Sequence, residues 1–430
     1  MEKSKVKVLV NNTIMMYLLT IAKLIIPLIS LPYLTRVLSV DCYGTVSFVK
    51  SLISYMQVLV DFGFLLSGTK DVVDIIKNNG NPKEAIGNTL YAQLILSFIS
   101  VVLMFICCLV FDVIDGYVIF ALLSLIPVIL SVFLFEYVFK AYEKMDKIAV
   151  KFIVMKVISL ILTIVFVKND GDVYLMPIFD ILGSLVVVFM TFIQLNRMNI
   201  QIDFKFARIV QAFICLKNSF VYFISNFATT AFTLLNTLII GIMLTKADIA
   251  YWNVTMQLVT AVQAMYAPII NSVFPTMLKE KNLKIIHKIM LIYMPLIFIG
   301  CGAILLLGDW GVKLVFTSEY LMSSTLLKWL IPVFIFSFPA MLYGWPCLTP
   351  INKQKAATCT TIASAVIQVL GLLLLILIGH FNLITICIVR NVTEITLCIP
   401  RMALIYKNKN KFDGSITNTN PNPETPAVDA

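Results

Sequence analysis

Charge is scarce in this chain: only 13% of 430 residues are Asp, Glu, Lys or Arg, and only two are histidine, His287 and His380. A soluble domain carries about 25% charged residues, so a chain that is 60% apolar cannot clothe itself for water and reads as a multi-span membrane protein. The lack of histidine removes the commonest general base. No connection is long enough to hold a catalytic domain, the longest being residues 67–87. A membrane-embedded glycan polymerase or transferase, which needs a large loop or an intramembrane His/Asp constellation, therefore finds no support, and no catalytic residue is assigned. The nine cysteines show no CxxC spacing, which argues against a zinc site. Cys107, Cys108, Cys301, Cys387 and Cys398 lie inside apolar runs, where they read as small hydrophobes. No metal and no cofactor is implied. The basic start, MEKSKVKVLVNN, runs into an apolar stretch without a small-residue cleavage site and is expected to be a retained first span.

What is present is a series of apolar windows of about twenty residues, the length that crosses a bilayer. Twelve are expected, near 11–34, 43–66, 88–111, 117–139, 148–167, 173–195, 215–244, 249–277, 286–308, 320–347, 356–379 and 381–405. Their connections alternate. One set is rich in Lys and Arg, including Lys3/Lys5/Lys7, Lys140/Lys144/Lys147/Lys151, Lys205/Arg208 and Arg401 with Lys407/Lys409/Lys411; the other leans acidic. Positive-inside logic makes the basic set cytoplasmic, so both termini are cytoplasmic and the net charge of +10 reflects topology, with no nucleic-acid partner. Residues 67–87 are expected to form an amphipathic surface helix broken near 78–82, and 412–430 a disordered cytoplasmic tail.

Within the spans lie charges that hydrocarbon disfavours, at about 2.5–3.5 kcal/mol each on insertion scales. Arg390 has Glu394 one turn on as an ion-pair partner, Lys328 is close enough to a span end to snorkel, and Lys156 stays open. Lys23 and Lys50 have no such local relief, and each belongs to a polar stripe at helical spacing. The first span gives Thr13, Tyr17, Thr20, Lys23, Pro27 and Ser30; the second gives Ser47, Lys50, Ser54, Gln57 and Asp61. Span seven repeats the pattern with Ser219, Tyr222, Asn226, Thr229, Thr233 and Asn236, and span eight with Asn253, Gln257, Thr260 and Asn271. Spans three, four and nine look uniformly apolar. The four striped spans are expected to face a shared cleft, although a Ser/Thr stripe equally serves helix packing. Asn12-Thr13 resembles Asn218-Ser219, and Asp41-x-Tyr43 resembles Asp248-x-x-Tyr251. The fold class is therefore all-α, polytopic, with twelve transmembrane helices in two six-helix lobes, 1–205 and 206–411, related by a pseudo-twofold axis along the membrane normal.

The segment PLISLPYLTRVLS (27–39), Tyr43-Gly44, DFGFLLSGTK (61–70), VFPTML (273–278) and the run from Phe316 to Lys353 together resemble Wzx-type O-antigen and capsule repeat-unit flippases. These form the polysaccharide-transport branch of the multidrug/oligosaccharidyl-lipid/polysaccharide exporter superfamily, which also holds lipid II flippases and multidrug extruders. The resemblance implies a V of two lobes in the bacterial inner membrane, with spans one, two, seven and eight lining a cationic cavity for an undecaprenyl-diphosphate-linked oligosaccharide. The polysaccharide polymerase and chain-length machinery are implied partners. On this reading Lys23, Lys50 and Arg36 hold the diphosphate, and Asn226, Asn236, Asn253 and Gln257 bind sugars. Asp61 either carries a coupling proton or balances Lys50, and a proton or sodium gradient is the implied drive. Ser39 departs from the small residue, often Gly, found before the turn in relatives, so a looser or differently set turn, without loss of function, is expected there. The alternative on the same scaffold is an ion-coupled multidrug exporter, whose cavity would favour acidic and aromatic groups.

Overall fold

The structure, a computed structural model, describes residues 2–200, 202 and 209–412, with side chains described from residue 11 onward except at 209, 225, 228, 229, 231 and 232. Residues 413–430 of the expected tail, Lys205, Arg208 and the side chains of Thr229 and of Lys3, Lys5 and Lys7 lie outside the described residues. The described residues form helices and no strand. In order they are α1 (Glu2–Val37), α2 (Val40–Asp61), α3 (Phe64–Lys77), α4 (Lys83–Val110), α5 (Val118–Ser131), α6 (Glu136–Ala141), α7 (Met145–Phe166), α8 (Leu175–Arg197) and α9 (Ile209–Met243). There follow α10 (Lys246–Ala264), α11 (Ala267–Glu280), α12 (Leu283–Val315), α13 (Leu321–Trp329), α14 (Ile331–Leu342), α15 (Trp345–Leu348), α16 (Gln354–Ile378) and α17 (Leu383–Lys407).

Among the described residues, eleven helical segments are long and apolar enough to cross a membrane. The expected span 215–244 falls on α9, whose apolar stretches are Val210–Ile224 and Thr233–Met243. Helix is the form such segments take, because hydrocarbon offers no partner to an open N–H or C=O. The polytopic all-helical class follows. All nine cysteines are free thiols.

By packing, the chain forms two compact units: Met1–Ala261 with Leu306–Lys328 and Phe381–Ile386, and Val262–Leu305 with Trp329–His380 and Cys387–Ala430. In the first unit two spans are broken. Between α2 and α3 the residues Phe62 and Gly63 are both left-handed, at φ 41° and 77°, and Gly63 lies against Tyr222 of α9, where a side chain would collide. Between α5 and α6 a short 3-10 turn, Val132–Leu134, ends at the left-handed Phe135. Such breaks leave carbonyls without helical donors. Lys151 serves one of them, its ammonium donating to the Leu134 carbonyl at 3.0 Å and to the Thr191 hydroxyl at 3.2 Å, 3.7 Å from the Phe139 ring centroid. The charge pattern assigns Lys151 to a cytoplasmic loop; it is instead buried, because α7 starts at Met145 and carries it inward.

α3 ends at Lys77 and a turn leads to α4 at Lys83, which matches the break expected near 78–82. α9 packs on α2 and α4. Glycine permits close approaches to α2: a Cβ on Gly241 of α9 would strike the Phe48 ring, and one on Gly44 would strike the carbonyl of Lys246, which opens α10. Farther along, Phe62 stacks on Phe223 with centroids 4.4 Å apart, and the Ser67 and Ser219 hydroxyls are 2.6 Å apart. This is close packing through small residues, the usual route to helix association without a hydrophobic drive.

The second unit is built on a core that includes Tyr266, Met277, Ile286, Phe338, Leu342 and Ile405. Arg401 is pinned within it, donating to the Ala340 carbonyl at 2.7 Å and to the Thr361 and Thr360 hydroxyls at 2.8 and 3.0 Å. The charge pattern counts Arg401 among loop residues; the structure makes it a buried brace, 5% exposed. The Arg390–Glu394 pair forms as expected at 2.8 Å, with Gln368 accepting from Arg390 at 3.2 Å.

Gly44→Ala is expected to destabilise the protein by about 1–3 kcal/mol, because a main-chain carbonyl cannot step aside as a side chain can. Thermal unfolding of the purified protein in detergent checks this, and an unchanged midpoint would deny the contact of α2 with the start of α10.

Candidate functional site

Lys23 sits midway along the apolar span Asn11–Val37, four residues before Pro27. Proline has no N–H, so the carbonyl of Lys23 loses its helical donor. Position 23 is thus polar in both side chain and main chain. α1 packs along α7, and Tyr33 fastens the end of this contact by directing its hydroxyl at the Ile164 and Val167 carbonyls, 2.7 and 2.6 Å away. The ammonium of Lys23 lies 5.3 Å from the Phe152 ring centroid on α7, within the range of a cation–π contact.

α2 starts from Ser39, which caps it by accepting from the Cys42 N–H at 3.3 Å, while its own N–H donates to Asp170 at 2.7 Å. The looser turn expected at Ser39 is not found. Its backbone, φ −61° and ψ 156°, makes no demand for glycine, and the hydroxyl supplies a cap that glycine lacks. Halfway along α2 stands Lys50, followed on the same face by Gln57 and Asp61. The Gln57 amide donates to Asp61 at 2.8 Å and to the Ser131 hydroxyl at 3.2 Å.

α7 and α8 add a charge pair that crosses between helices, Lys156 to Asp180 at 3.2 Å. Ser159 and Lys50 line the same cavity as Asp180 and act on its carboxylate electrostatically. From α10 come Asn253 and Gln257, and Asn253 is oriented by the Tyr43 hydroxyl, which donates to it at 3.1 Å. From α4 comes Gln93, whose side-chain carbonyl is buried with no hydrogen-bond partner among the described residues.

These groups, with Glu136 at the start of α6, line one cavity of about 690 Å³ within the first unit. Lys23 and Lys50 are exposed although each stands mid-span, and what they are exposed to is this cavity. Among its described lining residues, three lysines meet three carboxylates: Lys23, Lys50 and Lys156 against Asp61, Glu136 and Asp180. The cavity is therefore cationic only locally. Lys156 is paired, whereas the ammonium groups of Lys23 and Lys50 make no hydrogen bond or ion pair with a described residue. A concave, water-accessible space with convergent amides and unpaired cations at bilayer depth is suited to a polar ligand carrying negative charge.

Of the residues expected at the site, Lys23, Lys50, Asp61, Asn253 and Gln257 come together here. Arg36, Asn226 and Asn236 are not among the described lining residues. Arg36 instead donates to the Leu314 and Val315 carbonyls that end α12, a cation on a helix C-terminus. Asn236 is buried in α9 and Asn226 is exposed on it; the α9 stripe serves packing at Ser219 and Tyr222, where it meets α3 and Gly63. Sequence reading missed Gln93, Glu136 and Asp180 and left Lys156 open. A signal existed in α4, where Gln93, Ser97 and Ser100 follow helical spacing, and in α7, where Lys156, Ser159 and Thr163 do.

Residues 9–281 match the model of a family described as polysaccharide biosynthesis protein. A Shigella dysenteriae protein named as a candidate O-antigen transporter is 23% identical over 368 residues, covering 84% of this chain and 91% of that one. A second protein of that name, from Escherichia coli strain K12, is 20% identical over 268 residues, 62% of this chain and 64% of that one. Among solved structures, an inward-facing multidrug resistance MATE family transporter of the MOP superfamily aligns with TM-score 0.67 at 14% identity, over 91% of this chain and 96% of its own. The lipid II flippase MurJ, in an inward closed conformation, aligns with TM-score 0.66 at 14% identity, over 94% and 89%. At these identities the structural likeness concerns the fold.

In a background with the exposed Cys359 replaced by serine, Lys50→Cys and Gln257→Cys are expected to react with a small water-soluble thiol reagent. Asn236→Cys, at a position 4% exposed, is expected to stay unlabelled. Equal labelling of all three, read by mass shift, would contradict the cavity lining.

Proposed function

Because this chain belongs to the polysaccharide biosynthesis protein family, we propose that it is a flippase and not an enzyme. It carries undecaprenyl-diphosphate-linked oligosaccharide repeat units from the cytoplasmic to the outer leaflet of the bacterial inner membrane. The observation that carries this reading is the pair of mid-span lysines, Lys23 and Lys50, that face a polar cavity without ion-pair partners among the described residues. A lipid diphosphate bears about two negative charges, and moving it bare through hydrocarbon meets the full desolvation cost of an ion. Fixed cations at mid-depth lower that barrier. Gln57, Gln93, Asn253 and Gln257 supply amide donors and acceptors to sugar hydroxyls, while the prenyl chain stays in lipid.

Alternating access would come from rocking of the two six-helix halves, 1–205 and 206–411. Asp61, held by Gln57 at the α2–α3 break, is the carboxylate best situated to couple that motion to a proton or sodium gradient. O-antigen synthesis is the pathway suggested by the names of the relatives, with the polymerase that consumes the flipped unit as a partner.

A second reading has one observation in its favour. The carboxylates Asp61, Glu136 and Asp180 in the cavity are what an exporter of organic cations would use. The two separate cleanly in cells. Deleting the gene is expected to leave lipid-linked repeat units on the cytoplasmic leaflet and no glycan outside, whereas an exporter would leave glycan unchanged and raise drug susceptibility. Lys23→Ala and Lys50→Ala should each lower surface polysaccharide by about tenfold or more, the factor that accompanies a loss of 1.4 kcal/mol, at unchanged protein level. Full glycan display by both variants would remove the lysines from the mechanism.

A further inference from the structure

Asp180 shares its cavity with two lysines that come from different helices. Lys156 on α7 pairs with it directly at 3.2 Å, and Lys50 on α2 acts on it electrostatically. The pair is open to the cavity, with side-chain exposures of 36% and 32%, unlike Arg390–Glu394, which is closed in at 12% and 8% along a single helix. A closed pair on one helix is a fixture, since breaking it strands a buried charge. A cavity-facing pair between helices can exchange partners with anything anionic that enters. Asp180 also has somewhere to go, because the Ser159 hydroxyl lines the same cavity and favours the carboxylate independently of either lysine.

We propose that Asp180 is a built-in stand-in for the anion of the substrate. With the cavity empty it neutralises Lys156 and draws on Lys50. An entering diphosphate displaces it from both, so that Lys50 and Lys156 clasp the headgroup from α2 and α7 while Asp180 rests on Ser159. This rests on the flippase reading and adds a residue that sets affinity. Its purpose is release. Three uncompensated lysines at bilayer depth would hold a dianion so firmly that it could not leave, and a carboxylate that competes for two of them keeps binding weak enough for turnover. The other charges facing the cavity, Lys23, Asp61 and Glu136, do not pair with Lys156 or Asp180 among the described residues.

The test is titration of the purified full-length protein in detergent with farnesyl diphosphate as the probe. Asp180→Asn, which keeps the shape of the side chain, is expected to bind the probe about tenfold tighter than the unaltered protein, a difference of 1.4 kcal/mol, and to support less glycan display in cells because release slows. A companion comparison avoids an unpaired lysine at 156: Lys156→Gln with Asp180→Asn should bind more tightly than Lys156→Gln alone, since nothing then competes for Lys50. Equal or weaker binding in both comparisons, with Lys50→Ala still losing affinity, overturns the role of Asp180 and leaves the flippase reading standing. Failure of the unaltered protein and Lys50→Ala alike to bind the probe overturns both.

Discussion

An ammonium or guanidinium placed inside a membrane span must be solvated by the protein itself, because hydrocarbon will not do it. This chain meets that demand in three ways, each with a different consequence. Arg390 is neutralised by Glu394 one turn away on α17. Lys151 and Arg401 are wrapped by main-chain carbonyls and hydroxyls, at a helix break in the first case and inside the core of the second unit in the other. Lys23 and Lys50 face a cavity and make no hydrogen bond or ion pair with a described residue. The first two solutions spend the charge on the fold. The third keeps its field available to a ligand, and it is the one a transporter of anions requires.

The cavity depends on how the surrounding helices are held. Tyr33 binds the last carbonyls of α7 and fixes α1 alongside it, which brings Lys23 over Phe152. Ser39 caps α2 and ties its start to Asp170. Tyr43 reaches across to orient Asn253. On its other side α2 closes on α9 at Gly241 and on the start of α10 at Gly44, so that the polar face of α2 is free for the cavity while small residues serve packing. The two breaks, at Phe62–Gly63 and at Phe135, lie next to Asp61 and Glu136, which are the acidic members of the lining nearest a joint. A joint beside a titratable carboxylate is a natural place for an ion gradient to act on helix geometry.

Among the described residues, parts of the α1, α2 and α10 stripes line the cavity and none of the α9 stripe does, and the difference is physical. A lysine or a long amide on an apolar helix has few ways to be satisfied, so its presence points to a cavity. Serine and threonine satisfy themselves on their own helix, as Thr20 does with the Met16 carbonyl at 2.9 Å and Ser54 with the Lys50 carbonyl at 2.9 Å, and therefore tolerate either a packed face or a wet one. α9 has no charge in its stripe, and Ser219 was free to bind Ser67. Loop-charge counting failed for Lys151 and Arg401 for a related reason: residues within a turn or two of a span end look alike in sequence whether they reach water or fold back onto carbonyls.

By itself the sequence determined the all-helical, polytopic class, because apolar segments of bilayer length admit no other hydrogen-bonded form. It also determined that Lys23 and Lys50 are anomalies requiring a polar environment, since the cost of charge at that depth is independent of the fold. Only the tertiary structure decided which helices provide that environment. It brought α7 and α8 to the cavity, paired Asp180 with Lys156 in the space that Lys50 also lines, and turned Arg36 toward the end of α12. Those outcomes turn on which faces of neighbouring helices meet, and helical spacing along one chain carries no information about its partner's rotation.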